Sequence, residues 1–237
     1  MTSTEVPVVA TAASSPSFWM DNDKADFHAL DVGQLTLDYV EGHYIAELLR
    51  MECGKRVRTL VEIGTWNGLG STVCILEGIK DRPFTSFHSL ECNKEKLEQA
   101  QENLKAQLSN KIHLLWGTIL PQHYFSLEVI ERLFPTLKNS DDLRQYMQVD
   151  ISNCLLAPNV LDQLPQDIDF LLLDGGDFTT LQEFQILLPR CTAYIALDDT
   201  RLEKCKRVRE ILCELPEWSE LYRSDGRNGF SVFEKIR

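Results

Sequence analysis

The sequence predicts an α/β domain: a mostly parallel sheet with helices on both faces, closed by a C-terminal antiparallel hairpin. Three observations predict it. Short apolar runs alternate with stretches of helical apolar spacing along most of the 237 residues. One such run, Leu60-Val61-Glu62-Ile63, leads into a glycine-rich turn, Gly64-Thr65-Trp66-Asn67-Gly68-Leu69-Gly70, that opens into a helix. Near the end of the chain, two strand-like runs flank a turn rich in Gly, Asn and Asp.

Taken in order, residues 1–17 are rich in Ser, Thr, Ala and Pro and read as a disordered tail, with a single domain over 18–237. Phe18-Trp19-Met20 breaks the tail composition and reads as a docking segment. From Leu35 to Met51, apolar residues recur at helical spacing. Parallel strands are expected at Thr59 to Ile63, Phe84 to Leu90, Ile112 to Trp116, Ile168 to Leu173 and Thr192 to Leu197, with helices as the crossovers, Asn93 to Leu104 among them. Residues 117–166 supply more chain than one crossover needs and form an insertion. Short helices are expected there at Leu127 to Phe134 and Asp141 to Met147, with another over Ile151 to Leu164. Trp218 to Arg223, the turn from Ser224 to Gly229, and Phe230 to Glu234 make the hairpin.

The glycine turn points to a ligand at the carboxyl end of the first strand. Glycines let backbone approach a ligand closely, and the helix that follows aims unpaired N–H groups at the same place. The order Gly64-x-x-x-Gly68-x-Gly70 is neither the G-x-G-x-x-G of dinucleotide sites nor a phosphate loop ending in Lys-Ser or Lys-Thr. A pyrophosphate ligand is therefore disfavoured, and a ligand with a positive centre or an amino group is favoured. Glu91 ends the second expected strand, about 20 residues beyond the turn, where an acid accepts hydrogen bonds from a ribose. Helix capping or a solvated loop charge is the alternative for Glu91.

Here the chain resembles a known family. Glu62-Ile63-Gly64-Thr65-Trp66-Asn67-Gly68 is similar to motif I of class I S-adenosylmethionine-dependent methyltransferases. Among these it is similar to the version found in small-molecule O-methyltransferases of the catechol and caffeoyl-coenzyme A type. The helical stretch Glu41 to Leu49 also resembles the family's approach to its first strand. Resemblance implies a Rossmann-like seven-stranded sheet and S-adenosylmethionine as cofactor. It also implies roles: Gly64 and Gly68 against the methionine part, Glu62 orienting the turn, and Thr65 and Trp66 flanking it. Ser71 would serve the cofactor carboxylate, Glu91 the ribose, and Gly117 and Thr118 the adenine, with Asp174 beside the cofactor. Trp66 as a plain core aromatic is the competing reading.

The fourth and fifth strands end in carboxylates, Asp174-Gly175-Gly176-Asp177 and Asp198-Asp199. Adjacent strands lie about 5 Å apart, so these acids converge, and crowded acids need protons or a cation. Mg²⁺ or another divalent cation held by Asp174, Asp198 and Asp199 is one solution. In the catechol-type enzymes the matching positions bind such a metal, although Asp199 replaces an Asn and Asp177 replaces a lysine base. Asp-Gly-Gly-Asp-Phe is closer to methyltransferases whose fourth strand ends in D-G-x-H or D-G-G-E-F. There Asp177 is the candidate general base, with Asp174 and Asp198 as the other candidate catalytic carboxylates. Lys204 is a weaker candidate base, read as a solvated helix lysine, and Arg227-Asn228-Gly229 shapes the final turn or meets the acceptor.

Composition limits the partners. A net charge of −12 disfavours nucleic acid. No run reaches membrane-spanning length and the N-terminus lacks a signal-peptide pattern, so no membrane and a cytoplasmic location are expected. Seven cysteines without a C-x-x-C pair suit a reducing compartment. The expected function is methyl transfer to an oxygen of a small molecule or sugar; the alternative is a cofactor-binding regulatory protein without turnover. Oligomeric state is left open, a homodimer included.

Overall fold

The computed structural model describes residues 34–126, 128–130 and 141–236. Seven strands alternate with helices: α1 (Val40–Glu52), β1 (Thr59–Ile63), α2 (Ser71–Ile79), β2 (Ser86–Glu91), α3 (Lys94–Asn103) and β3 (Ile112–Trp116) come first. They are followed by α4 (Asp141–Leu156), β4 (Ile168–Leu173), α5 (Thr180–Leu187), β5 (Cys191–Asp198), α6 (Glu203–Glu214), β6 (Trp218–Ser224) and β7 (Phe230–Lys235). The strands form one sheet in the order β3-β2-β1-β4-β5-β7-β6. The first five strands pair in parallel, while β7 runs antiparallel to both β5 and β6. This is the Rossmann-like arrangement with a C-terminal hairpin.

Burial on both faces explains why the central strands are nearly continuous apolar runs. Leu60, Phe170, Leu172 and Ala196 face Ile45, Leu49, Cys74 and Ile75 of α1 and α2. Their neighbours Val61, Ile63, Leu171, Leu173 and Ile195 face Phe184 of α5 and Val208 and Leu212 of α6. Alternation of side chains along a strand thus divides one apolar run between two cores. Among the described residues, no helix is long and apolar enough to cross a membrane.

Strand order sets where a ligand can bind. Chain progression leaves β1 toward β2 and β3 on one side and toward β4 and β5 on the other. The crossovers diverge there and leave a crevice at the carboxyl ends of the strands. Ile63 lies opposite Leu90 on one side and Leu173 on the other, and Leu173 lies opposite Leu197. Residues just beyond these four, Gly64, Glu91, Asp174 and Asp198, therefore stand at one level along the crevice.

Several expected boundaries are corrected. α1 starts at Val40, not Leu35; Leu35 lies ahead of the helix but is 1% exposed and packs in the core. β2 starts two residues after Phe84, because β1 supplies partners only from Thr59 opposite Ser86. In the insertion, Asp141 to Leu156 is one helix, so the helix expected over Ile151 to Leu164 is replaced by the second half of α4 and a 3-10 turn at Leu161–Gln163. No Gly or Pro stands between Met147 and Ile151 to break α4, whereas Pro158 prevents its extension. The expected tail, Phe18-Trp19-Met20 and most of Leu127 to Phe134 lie outside the described residues.

Candidate active site

The glycine bend is built by close backbone approach. Gly64 has φ 101°, and a Cβ there would come 2.2 Å from the carbonyl oxygen of Asp174. Only glycine allows both the backbone geometry and the contact between the ends of β1 and β4. The Gly64 and Thr65 N–H groups donate to the Leu90 carbonyl at 2.9 and 3.0 Å. The Trp66 N–H donates to Glu91 Oε2 at 2.7 Å, and the Asn93 N–H donates to Oε1 at 2.8 Å. Glu91 thus joins the bend to the start of α3 while lying at the crevice. Burial pushes its carboxyl up, against the lowering effect of these N–H donors.

Glu62 acts behind the bend. It is fully buried and accepts from Ser71 Oγ at 2.6 Å, Thr72 Oγ1 at 2.8 Å and Ser89 Oγ at 2.5 Å. Ser89 Oγ also lies 2.5 Å from Thr65 Oγ1. One carboxylate therefore ties β1, β2, the bend and the first turn of α2 together, and burial raises its pKa to about 7. The Ser71 hydroxyl is committed to Glu62. Trp66 is not a core aromatic: it is 47% exposed, has φ 51°, and carries Lys96 Nζ 4.4 Å from its ring centroid. Gly68 packs against α3, where a Cβ would meet Leu104 Cδ1 at 2.8 Å. Beyond β3, the Gly117 N–H bonds the Glu91 carbonyl. Thr118 pairs with the segment after α4 and accepts from the Leu120 N–H.

The carboxylates after β4 and β5 come together. One oxygen each of Asp174, Asp198 and Asp199 lies within 4.8 Å of the others, the spacing that a single cation could bridge. Two side chains from elsewhere already meet them. Lys204 Nζ lies 2.8 Å from Asp174 Oδ1 and 2.7 Å from Asp199 Oδ2. Arg227 Nη1 donates to both oxygens of Asp198, at 3.0 and 3.2 Å. Lys204 is 7% exposed, so the solvated helix lysine expected from sequence is wrong. Arg227, on the hairpin turn with φ 50°, reaches back under the site and also lies 5.2 Å from the Tyr39 ring centroid. Asp199 carries φ 58°, an uncommon geometry for a residue with a side chain. Burial pushes Asp199 up, but Lys204 and then Arg227 outweigh it and hold the carboxyl low. Burial together with Asp174 and Asp199 pushes Asp198 up, against the guanidinium upon it. A divalent ion does not fit this set while the ammonium holds the place between Asp174 and Asp199.

Two further acids were not legible as site residues in the sequence. Asp150 of α4 faces the loop after β4: its Oδ2 is buried, has no hydrogen-bond partner, and would stand 3.6 Å from a Cβ at Gly176. Burial, then Asp177 and Glu91, raises its pKa to about 7. Asp177 is raised as well, by burial first and then by Asp199 and Asp174, against Lys204. Glu183 of α5 is 6% exposed, with Thr179 Oγ1 3.3 Å from its Oε2. Burial raises Glu183 to about 8. Such a raised carboxyl favours folding when protonated. Its stabilising contribution is full below the unfolded value of about 4.3 and is lost as pH rises through 8. Glu183→Gln is therefore expected to gain on the wild type by roughly 3–5 kcal/mol between pH 4 and pH 9. Urea unfolding of both proteins across that range checks it; parallel pH curves would show that the Glu183 carboxyl ionises at its ordinary value.

His88 and His43 take no part in this cluster. His88 stacks on His113 with centroids 4.6 Å apart, and burial lowers its pKa to about 4. His43 lies on α1.

No family model and no curated protein matches the chain by sequence. Solved structures do match its fold. An O-methyltransferase from Bacillus cereus, in complex with SAH, is 15% identical, covering 89% of this chain and 86% of that one with a TM-score of 0.53. A protein from Corynebacterium glutamicum is 13% identical over 90% and 88%, with a TM-score of 0.58. An rRNA methylase from Streptococcus thermophilus is 12% identical over 84% and 98%, with a TM-score of 0.51. The fold implied by the resemblance at Glu62 to Gly68 is the fold these proteins share.

Proposed function

We propose that this chain is an S-adenosylmethionine-dependent methyltransferase acting on an oxygen of a small molecule or sugar. The observation that supports it most is the meeting of Gly64, Glu91 and Asp174 in the crevice where strand order reverses. The site suits such a cofactor, because a positively charged ligand is complementary to the carboxyl groups of Glu91 and Asp150. Asp150 Oδ2, buried without a partner, is an acceptor awaiting a donor. S-adenosylmethionine supplies a methyl group already activated by its positive sulfur.

The chain's own residues have the remaining tasks. Gly64, Thr65, Trp66 and Gly68 would frame the methionine part, with Glu62 and Ser71 holding the bend in shape. Glu91 would exchange backbone donors for ribose hydroxyls, and Gly117 and Thr118 would border the adenine. Asp174 and Asp198 each carry a cation, whereas among the described residues Asp177 makes no ion pair. Asp177 is therefore the general base: it accepts the hydroxyl proton of the acceptor, and its raised pKa brings it closer to that task. Net charge of −12 supports a small-molecule acceptor over RNA, although the fold also serves rRNA methylation in one similar structure.

Incubation with S-adenosylmethionine labelled in its methyl group and a metabolite extract tests the proposal. Label is expected in small molecules that resist mild base, as ethers do. Tight cofactor binding with no labelled product under any condition would favour a regulatory binder instead.

A further inference from the structure

We propose that Lys204 is the resident cation at the acceptor end of the site, standing where a divalent ion would otherwise bridge Asp174 and Asp199. The side chain comes from the first turn of α6, whose N-cap is Leu202. A lysine is unfavourable there, because a helix start favours negative charge. Burial adds a second cost, since an unpaired buried ammonium sheds its proton. Two carboxylates offset both, at 2.8 and 2.7 Å from Nζ, and they hold the ammonium charged against its burial.

The loop that delivers Lys204 is anchored on several sides. The Thr200 N–H bonds the Gly229 carbonyl and the Arg201 N–H bonds the Asn228 carbonyl, pinning the chain after β5 to the hairpin turn. The Leu202 N–H bonds the Asp199 carbonyl, and Cys205 Sγ lies 3.6 Å from the Leu173 carbonyl oxygen. With Arg227 on both oxygens of Asp198, each of the three convergent carboxylates has a cation partner from within the chain, two cations serving three acids. Mg²⁺ bonds carboxylate oxygen at about 2.0–2.1 Å and demands near-octahedral space. An ion bridging Asp174 and Asp199 would meet the ammonium at close range, where like charges repel. An ammonium has three N–H donors. Two engage Asp174 and Asp199, and the third is the donor that orients the acceptor oxygen; this last part rests on the proposed function, whereas cation occupancy does not.

Manganese titration followed by electron paramagnetic resonance tests occupancy without cofactor or acceptor. The wild type is expected to leave the free Mn²⁺ signal undiminished. Lys204→Met, checked for folding by circular dichroism, is expected to take up one Mn²⁺ per chain, and adding Asp199→Asn is expected to abolish that uptake. Uptake of one Mn²⁺ by the wild type, lost on Asp199→Asn, would overturn the proposal. So would a folded Lys204→Met that takes up no ion. Should Lys204→Met fail to fold, the wild-type titration and its Asp199→Asn control decide alone. SAH binding, measured separately, distinguishes failure of this inference from failure of the methyltransferase reading.

Discussion

Asp177→Asn is expected to lower the rate of methyl transfer by about 10²–10⁴-fold, the range over which a positioned general base contributes. Asn keeps the shape of the side chain but cannot take a proton. Affinity for S-adenosylmethionine is expected to stay within a few-fold, because Asp177 serves the acceptor end. The pH profile separates this role from a structural one. In the wild type the rate rises with pH along a limb lying above the ordinary carboxylate range, since burial, Asp199 and Asp174 all raise Asp177. That limb disappears in the variant. A variant that retains both the rate and the limb would remove Asp177 from the chemistry.

Glu91→Ala should weaken binding of S-adenosylmethionine and of its demethylated product by about 10²-fold, with a smaller effect on folding. Hydrogen bonds to a charged group contribute about 1.5–3 kcal/mol each, and two ribose hydroxyls on one carboxylate reach the size of that loss. In the structure the carboxylate instead holds the Trp66 and Asn93 N–H groups. Both are backbone donors near the surface of the crevice, which water can satisfy in the variant. Titration calorimetry of the two proteins with SAH checks the prediction, and equal affinities would place the ribose elsewhere.

The fold was legible because β1, β3, β4 and β5 declare themselves as short, mostly apolar runs, and each of the five parallel strands ends in or is followed by an acid or glycine. β1, β3 and β4 begin and end where the sequence puts them, and β2, β5, β6 and β7 differ by one or two residues at a boundary. Juxtaposition of Gly64 with Glu91 followed from the same reading, since parallel neighbours carry their carboxyl ends to one level. Lys204 was hidden by its company. Within Lys204-Cys205-Lys206-Arg207-Val208-Arg209 it passes for one charge of a solvated face. Yet its spacing to Val208 and Leu212, both fully buried, sets it on the inward stripe of α6. Asp150 shows the same signal, between Met147 and Cys154 on the buried side of α4. Arg227 could not be placed from sequence, because its contact with Asp198 depends on how the hairpin folds back across the end of β5. Of the two readings of Trp66, the plain core aromatic is the one the structure excludes. Here the left-handed backbone of the bend turns the ring outward.

The crevice itself is tested most directly by titrating the purified chain with SAH and, separately, with NAD. Saturable binding of one SAH per chain and no binding of NAD is the predicted result. NAD binding, or the absence of any heat with SAH under conditions where the chain is folded, would contradict the account at its root.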